Sequence, residues 1–156
     1  MKLIAKARNF PLLIMLLLAG LSVVSFSERS SAAKIGDNYG GGVVFFVNGQ
    51  HGLIAAKADI PGHSPDKPNG LFGWNDANTA CNNLVSEGFS DWFLPSKNDL
   101  KQLFFKKRVV GGFADYYYWS STECGADSAS FQYFANGARY VHTKRDGARV
   151  RAVRSF

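Results

Sequence analysis

Basic residues are concentrated near the C-terminal end of this 156-residue chain, where Asp146 is the only acidic residue among them. An arginine guanidinium presents a planar fork of N–H donors, which can bind a sulfate or a carboxylate through two parallel hydrogen bonds. The candidate ligand-binding residues are Arg139, Lys144, Arg145, Arg149 and Arg151. They fall on two successive predicted strands and the turn between them, so we expect them to share one surface. The alternative interpretation is an ordinary solvated sheet face.

Arg154 is interpreted differently, because side chains alternate between the two faces of a strand. On the last predicted strand it shares a face with Val150 and Ala152. If Val150 points into the core, Arg154 does too, and a cation in that position needs a carboxylate partner. The candidate partners are Asp91, Asp99 and Glu123. We therefore expect a structural role for Arg154.

The two cysteines, Cys81 and Cys124, both follow the N-terminal leader described below. In an oxidising compartment we expect them to form a disulfide. The bond would close a long loop, which the chain-entropy model values at about 3–4 kcal/mol. Two free or catalytic thiols are the alternative, and no neighbouring residue favours it.

No pattern in the sequence indicates a metal, a cofactor or a catalytic site. The three histidines, His51, His63 and His142, lack the spacing of a zinc motif. Calcium needs six or more oxygen ligands, and no run of acidic residues supplies them. No serine lies in a G-x-S-x-G context. We therefore expect no metal, no cofactor and no enzymatic activity.

The segment from Asp91 to Leu100 organises the predicted fold. Trp92, Phe93 and Leu94 are too apolar for a solvated loop, and Pro95 interrupts the pattern after them. Ser96 then predicts the N-cap of a helix over residues 97–107, because Asp99 stands where its carboxylate can reach back to the cap.

The remaining patterns predict an α+β domain. An N-terminal hairpin turns at Asn48-Gly49, and a long proline-containing loop covers residues 57–73. A first helix is expected from a cap at Asn75 or Asp76 to Gly88. Strands follow from Tyr116 onward, with a hairpin turn at Asn136-Gly137 and a last strand over residues 148–153. We expect the N- and C-terminal strands in one antiparallel sheet, with two short helices and with Trp92 and Trp119 in the core.

The first 33 residues have the layout of a secretory signal peptide. Lys2, Lys6 and Arg8 precede an apolar run from Leu12 to Phe26, and Ser31-Ala32-Ala33 offers a cleavage site. We therefore expect a signal peptide over residues 1–33, one domain over residues 34–156, and a secreted or cell-surface protein. An uncleaved N-terminal anchor is the alternative. Three of the six net positive charges lie in the leader, and this small remaining charge, together with export, argues against nucleic acid as a partner.

The order of several motifs resembles the Lcl C-terminal domain family, the terminal module of bacterial collagen-like adhesins. The motifs are Gly41-Gly42-Val43-Val44-Phe45-Phe46, His51-Gly52-Leu53-Ile54-Ala55-Ala56, Asp91-Trp92-Phe93-Leu94-Pro95-Ser96, Tyr118-Trp119-Ser120-Ser121-Thr122-Glu123 and Val150-Arg151-Ala152-Val153-Arg154. The resemblance implies a fold similar to C-type lectins and to formylglycine-generating enzymes. For collagen-like members it also implies a homotrimeric surface module that binds sulfated glycosaminoglycans.

We therefore expect a non-catalytic, exported domain that binds an anionic carbohydrate or a host or extracellular-matrix surface, with a homotrimer as the candidate assembly. A structural or oligomerisation module of an envelope assembly is the alternative. An enzyme similar to the formylglycine-generating family is a further alternative, but that family uses a late pair of catalytic cysteines, and only Cys124 lies in the second half of this chain.

Overall fold

A computed structural model describes residues 32–156. Almost the whole of the predicted signal peptide, residues 1–33, lies outside the described residues. Within residues 32–156, no helix is both long enough and apolar enough to cross a membrane.

This part of the chain forms two antiparallel sheets and three helices, which confirms the α+β class. The strands are β1 (Asn38–Tyr39), β2 (Gly42–Asn48), β3 (His51–Ala55), β4 (Tyr117–Gly125), β5 (Ser128–Tyr133), β6 (Arg139–Thr143) and β7 (Val153–Ser155). The helices are α1 (Trp74–Asn82), α2 (Lys97–Phe105) and α3 (Lys107–Val110). The four-residue α3 is additional to the two predicted helices.

The first sheet joins the two ends of the described chain, as predicted. Its strand order is β1-β2-β3-β7, and β3 pairs with β7 in the register Leu53↔Ser155 to Ala55↔Val153. The strands β4, β5 and β6 form a separate second sheet in that order. The N-terminal hairpin turns after Asn48, where Gly49 adopts a positive φ of 64° that suits glycine.

The predicted strand over residues 148–153 is wrong in its bounds, since β7 begins only at Val153. The preceding residues run between the two sheets and form single bridges on either side. Ala148 bridges to Phe72, and Arg149 bridges in parallel to Tyr118 of β4. The segment therefore ties the long loop and the second sheet together instead of extending either sheet.

The sheets separate two hydrophobic clusters, which explains the uninterrupted apolar runs in the sequence. On β4, Trp119 belongs to the cluster with α1, whereas its neighbour Tyr118 belongs to the cluster with α2. On β2, Val44 and Phe45 divide in the same way. A strand that is buried on both faces has no reason to alternate apolar with polar residues.

The helix starts show one correct and one wrong prediction. Ser96 caps α2 in a capping box, in which the Asp99 amide donates to the Ser96 hydroxyl at 3.2 Å and the Asp99 carboxylate accepts from the Ser96 amide at 3.0 Å. The cap of α1 is Gly73 rather than Asn75 or Asp76, and no side chain caps this helix. Residue 73 has the extended backbone of a cap because its amide donates to the Ser64 hydroxyl at 2.8 Å.

Trp92 and Trp119 are buried, as predicted, and each indole N–H has a partner. Trp92 Nε1 donates to the Phe89 carbonyl at 3.1 Å, and Trp119 Nε1 donates to the Phe72 carbonyl at 2.7 Å. Both rings are therefore held by the backbone of connecting segments, and neither is free to contact a ligand.

Candidate functional site

The five predicted ligand-binding cations do not share one surface. Arg149 lies beside β4, at one edge of the second sheet, whereas β6 forms the opposite edge. Three strand spacings, roughly 14 Å, separate these two segments. The prediction assumed that residues 148–153 form the strand next to β6, and that assumption is wrong.

Arg151 is a buried structural residue, so its assignment to a ligand-binding surface is wrong. It is fully buried, and its Nε lies 2.8 Å from Oδ1 of Asp59. Its remaining N–H groups donate to the carbonyl oxygens of Ala56, Gly111 and Gly112 at 2.6–3.2 Å. The guanidinium thus holds the long loop against the segment after α3, and no donor is left for an external anion.

Asp59 connects this buried arginine to other groups. Its Oδ2 accepts a hydrogen bond from the Tyr118 hydroxyl at 2.8 Å. Burial, and then the charge of Asp59, raise the pKa of Tyr118 well above its usual range. Arg149 approaches the same carboxylate, with Nη1 3.5 Å from Oδ2, and its buried Nε has no hydrogen-bond partner. Arg149 is therefore half-buried and engaged internally.

Lys144 is also held by internal contacts. Its ammonium donates to the carboxylate of Glu123 and to the carbonyl of Ala126, and it lies 4.5 Å from the centre of the Trp74 ring. Of the five cations, Lys144 and Arg149 are therefore partly neutralised, and Arg151 is buried.

Arg139 and Arg145 are the two predicted cations that remain exposed. Within residues 32–156 neither side chain forms an ion pair. Arg139 begins β6, and Arg145 follows its end by two residues. They thus stand at opposite ends of one edge strand.

All five residues of β6 are exposed. The β5 partners place Tyr140 opposite Phe131 and Val141 opposite Ser130, so Tyr140 and Val141 point to different faces. On the Tyr140 face, the His142 ring stacks on Phe131 at a centroid distance of 4.4 Å. Of this strand, sequence reasoning selected Arg139 but not Tyr140, Val141 or His142, although polar residues on both faces of the run 139–143 are a signal of an edge strand.

Each end of β6 borders a cavity. Arg139 lines a cavity of about 460 Å³, together with Lys97, Cys124, Ser130, Tyr140 and Val141. Arg145 lines a cavity of about 240 Å³, together with Ser64, Asp66, Lys67, Gly73, Asn75, Asp76 and Lys144. The first cavity has two cations and no carboxylate, whereas the second mixes both charges.

The expected disulfide is absent, because Cys81 and Cys124 are both free. Cys81 is wholly buried on α1 among core side chains, whereas Cys124 is exposed on β4. Burial raises the pKa of the Cys81 thiol to about 12, which makes it a poor nucleophile. Within residues 32–156, no three His, Cys, Asp or Glu side chains are grouped so that they could hold a metal ion.

A comparison with protein families finds one match, in which the model of the Lcl C-terminal domain aligns with residues 49–154. No curated protein matches the chain. The match includes β3, all three helices, the second sheet and most of β7, and therefore the whole of the β6 edge.

Proposed function

Because the chain belongs to the Lcl C-terminal domain family, we propose that it is an exported, non-catalytic domain that binds an anionic carbohydrate along β6. The observation that carries the proposal is the edge strand itself: within residues 32–156 Arg139 and Arg145 form no ion pair at its ends, and Tyr140 is exposed between them, while His142 is paired with Asp146 at 2.7 Å. The binding site proposed here keeps two of the five cations selected from the sequence.

The chemistry of these side chains suits a sulfated or carboxylated sugar chain. An exposed guanidinium binds an anionic group through two parallel hydrogen bonds. Tyr140 points to the opposite face of the strand from Arg139, so its ring offers an apolar surface and a hydroxyl only to a sugar chain that crosses the open edge of β6. From Arg139 to Thr143 the strand rises by roughly 14 Å, and Arg145 lies beyond. A ligand that reaches both arginines is therefore an oligosaccharide and not a single sugar.

Burial removes Cys81 as a candidate nucleophile and leaves exposed Cys124 as the thiol that a cysteine enzyme would have to use. The chemistry of a cysteine enzyme requires a thiolate in contact with its substrate. Cys81 is enclosed by the core, and its raised pKa keeps it protonated near neutral pH.

The experiment measures binding of the full-length chain, in an uncharged detergent, to heparin and to chemically desulfated heparin. Two neutralising substitutions, Arg139→Gln and Arg145→Gln, should together weaken heparin binding by at least about tenfold, since each removes a charge-assisted hydrogen bond. The matched variant with Lys34→Gln and Lys57→Gln removes two exposed charges that lie outside β6 and should bind as the parent does. Equal weakening by both double variants, or equal binding of desulfated heparin, would overturn the proposal.

An oligomerisation module is the second candidate, and the outer edge of β6 favours it. Edge strands are usually protected by lysine, proline or a bulge, and the run Arg139–Thr143 has none of these. Light scattering on the full-length chain distinguishes the candidates. A monomer whose mass is unchanged by Val141→Lys excludes assembly through β6, whereas an oligomer that this substitution dissociates supports it.

A further inference from the structure

The solvent-facing side of α2 and α3 combines cations with exposed apolar side chains. Lys97, Lys101 and Phe105 recur at every fourth position of α2, and Arg108 and Val109 follow on α3; all five are exposed. Phe105 is 63% exposed and Val109 is 51% exposed. The ammonium of Lys101 lies 5.9 Å from the centre of the Phe105 ring, so charged and apolar groups adjoin each other. We call this surface the α2–α3 face.

The α2–α3 face is strongly positive. Residues 97–110 contain five basic residues and one acidic residue, Asp99. The carboxylate of Asp99 is already engaged, because it accepts hydrogen bonds from the amide and the hydroxyl of Ser96 at 3.0 and 2.7 Å. Lys107 turns inward to the carbonyl of Phe134. The other four cations outnumber Asp99, so residues 97–110 carry a net positive charge that suits an anionic partner.

The start of the domain lies against the same face. A Cβ atom built on Gly36 would lie 3.2 Å from Cγ1 of Val109, so the chain passes beside α3 there. The preceding residue, Ile35, is 44% exposed and adds a third apolar side chain. The apolar run Leu12–Phe26 ends only nine residues before Ile35.

We propose that the α2–α3 face docks on a bilayer of anionic phospholipid. Phe105, Val109 and Ile35 enter the boundary between headgroups and acyl chains, and the cations contact the headgroup phosphates. Lysine and arginine stems are long enough to lie along apolar surface while their charges reach the headgroups. Helices that lie in a membrane interface are rich in lysine and arginine and also carry bulky apolar residues such as phenylalanine, and both kinds of side chain are exposed here.

The composition of the face favours lipid over a protein partner. The centre of a protein interface is depleted of lysine, whereas here Lys101 lies directly against Phe105. Headgroup phosphates, in contrast, accept cations anywhere on a docking surface. The proposal does not rest on carbohydrate binding, although Lys97 also lines the cavity at the Arg139 end of β6.

The experiment places an environment-sensitive fluorophore on the full-length chain, in a Cys124→Ser background that leaves only buried Cys81. One label is attached at Gln102→Cys, on the α2–α3 face. The other is attached at Asp66→Cys, beside the start of α1, which packs in the other hydrophobic cluster. Vesicles of equal parts phosphatidylglycerol and phosphatidylcholine should shift the emission of the first label to the blue and leave the second unchanged. Equal shifts at both positions, or no shift at position 102, would contradict the proposal.

Vesicles of phosphatidylcholine alone test the part played by charge. They should produce no shift at position 102, even if the leader holds the protein on the vesicle. The double variant Lys101→Gln with Arg108→Gln is made in the chain that carries the label at position 102. It should raise the concentration of anionic lipid at the half-maximal shift about 25-fold, because each lost cation contributes about fivefold. The matched pair Lys57→Gln and Lys67→Gln should change it less than about threefold, because charges distant from the bilayer are screened. Similar effects of both pairs would show only general attraction and would overturn the docking surface.

Discussion

Arg154 and Asp91 form a two-pronged ion pair, in which Nε lies 2.7 Å from Oδ1 and Nη2 lies 2.9 Å from Oδ2. The same guanidinium donates to the Gly40 carbonyl at 2.9 Å and lies 4.0 Å from the centre of the Phe89 ring. One side chain therefore fastens the last strand to the N-terminal glycine turn and to the segment that leads into Trp92. The structural role predicted for Arg154, and its partner Asp91, are confirmed.

Replacing Arg154 should destabilise the domain more than replacing its partner. Arg154→Ala removes the pair, the bond to Gly40 and the contact with Phe89, and should lower the free energy of unfolding by about 2–3 kcal/mol. Asp91→Asn should lower it by only about 1 kcal/mol, because Asp91 is more than half exposed. Urea denaturation measures both changes, and Arg108→Ala serves as the exposed control. Equal effects of Arg154→Ala and Arg108→Ala would contradict the structural role.

The Asp91 pair also has a defined pH dependence. Arg154 holds the pKa of Asp91 below its usual range, so the folded carboxylate keeps its charge at pH values where the unfolded one takes up a proton. The stabilisation is therefore present above the ordinary aspartate pKa of about 3.9 and is lost as the pH falls through the lower folded value. The difference between the parent and Asp91→Asn should vanish in this acid range.

Removing Asp59 should be more damaging than removing both members of its pair with Arg151. Asp59→Ala leaves a fully buried guanidinium without its carboxylate and should cost about 3–5 kcal/mol in the free energy of unfolding. Combining it with Arg151→Met replaces the charge by an apolar chain and should restore part of that loss.

Urea denaturation compares the single, double and control variants of this pair. Asp66→Ala, which removes an exposed carboxylate on the same loop, should leave the urea midpoint close to that of the parent. A double variant less stable than Asp59→Ala would show that the arginine is held mainly by the three backbone carbonyls.

Local signals explain which parts of the fold could be predicted. The α2 cap depends on Ser96 and Asp99, which lie three residues apart, so the sequence alone specifies it. The inward direction of Arg154 was predicted correctly, but its premise does not hold, because Val150 lies outside β7 and alternation does not run from Val150 to Arg154. The capping box needs no knowledge of distant residues.

The candidate site depended on distant contacts, and most of it could not be predicted. Arg151 finds Asp59, 92 residues earlier, in a loop whose position no local pattern reveals. Val150, Arg151 and Ala152 are all buried, so side-chain alternation cannot identify an outward face in this segment. The prediction applied side-chain alternation to residues 148–153 as if one face of the segment were exposed to solvent, and both faces are buried over residues 150–152.

The two cysteines should differ sharply in reactivity. Cys124 is exposed, and Cys81 is buried with its pKa raised to about 12, so iodoacetamide should modify one thiol per native chain and two after denaturation. Mass spectrometry without reductant counts the modified thiols. In Cys124→Ser the native chain should not react. Protection of both cysteines until a reductant is added would instead support the disulfide expected from the sequence.

Burial of Cys81 should make the fold sensitive to alkaline pH. The folded thiol has a pKa near 12, whereas an unfolded cysteine ionises near the ordinary value of about 8.5. Between these values the folded state retains a proton that the unfolded state has lost, so the free energy of unfolding falls as the pH rises, by up to about 1.4 kcal/mol per pH unit.

Cys81→Ala should cost about 1 kcal/mol near neutral pH and should lack this part of the decline. Urea denaturation under reducing conditions, at neutral pH and at two alkaline pH values, measures the difference in stability between the parent and Cys81→Ala. Tyr118 is present in both proteins, so its contribution cancels in this difference. Cys124→Ala should follow the parent at every pH, and a parallel decline in Cys81→Ala would show that the buried thiol has no part in it.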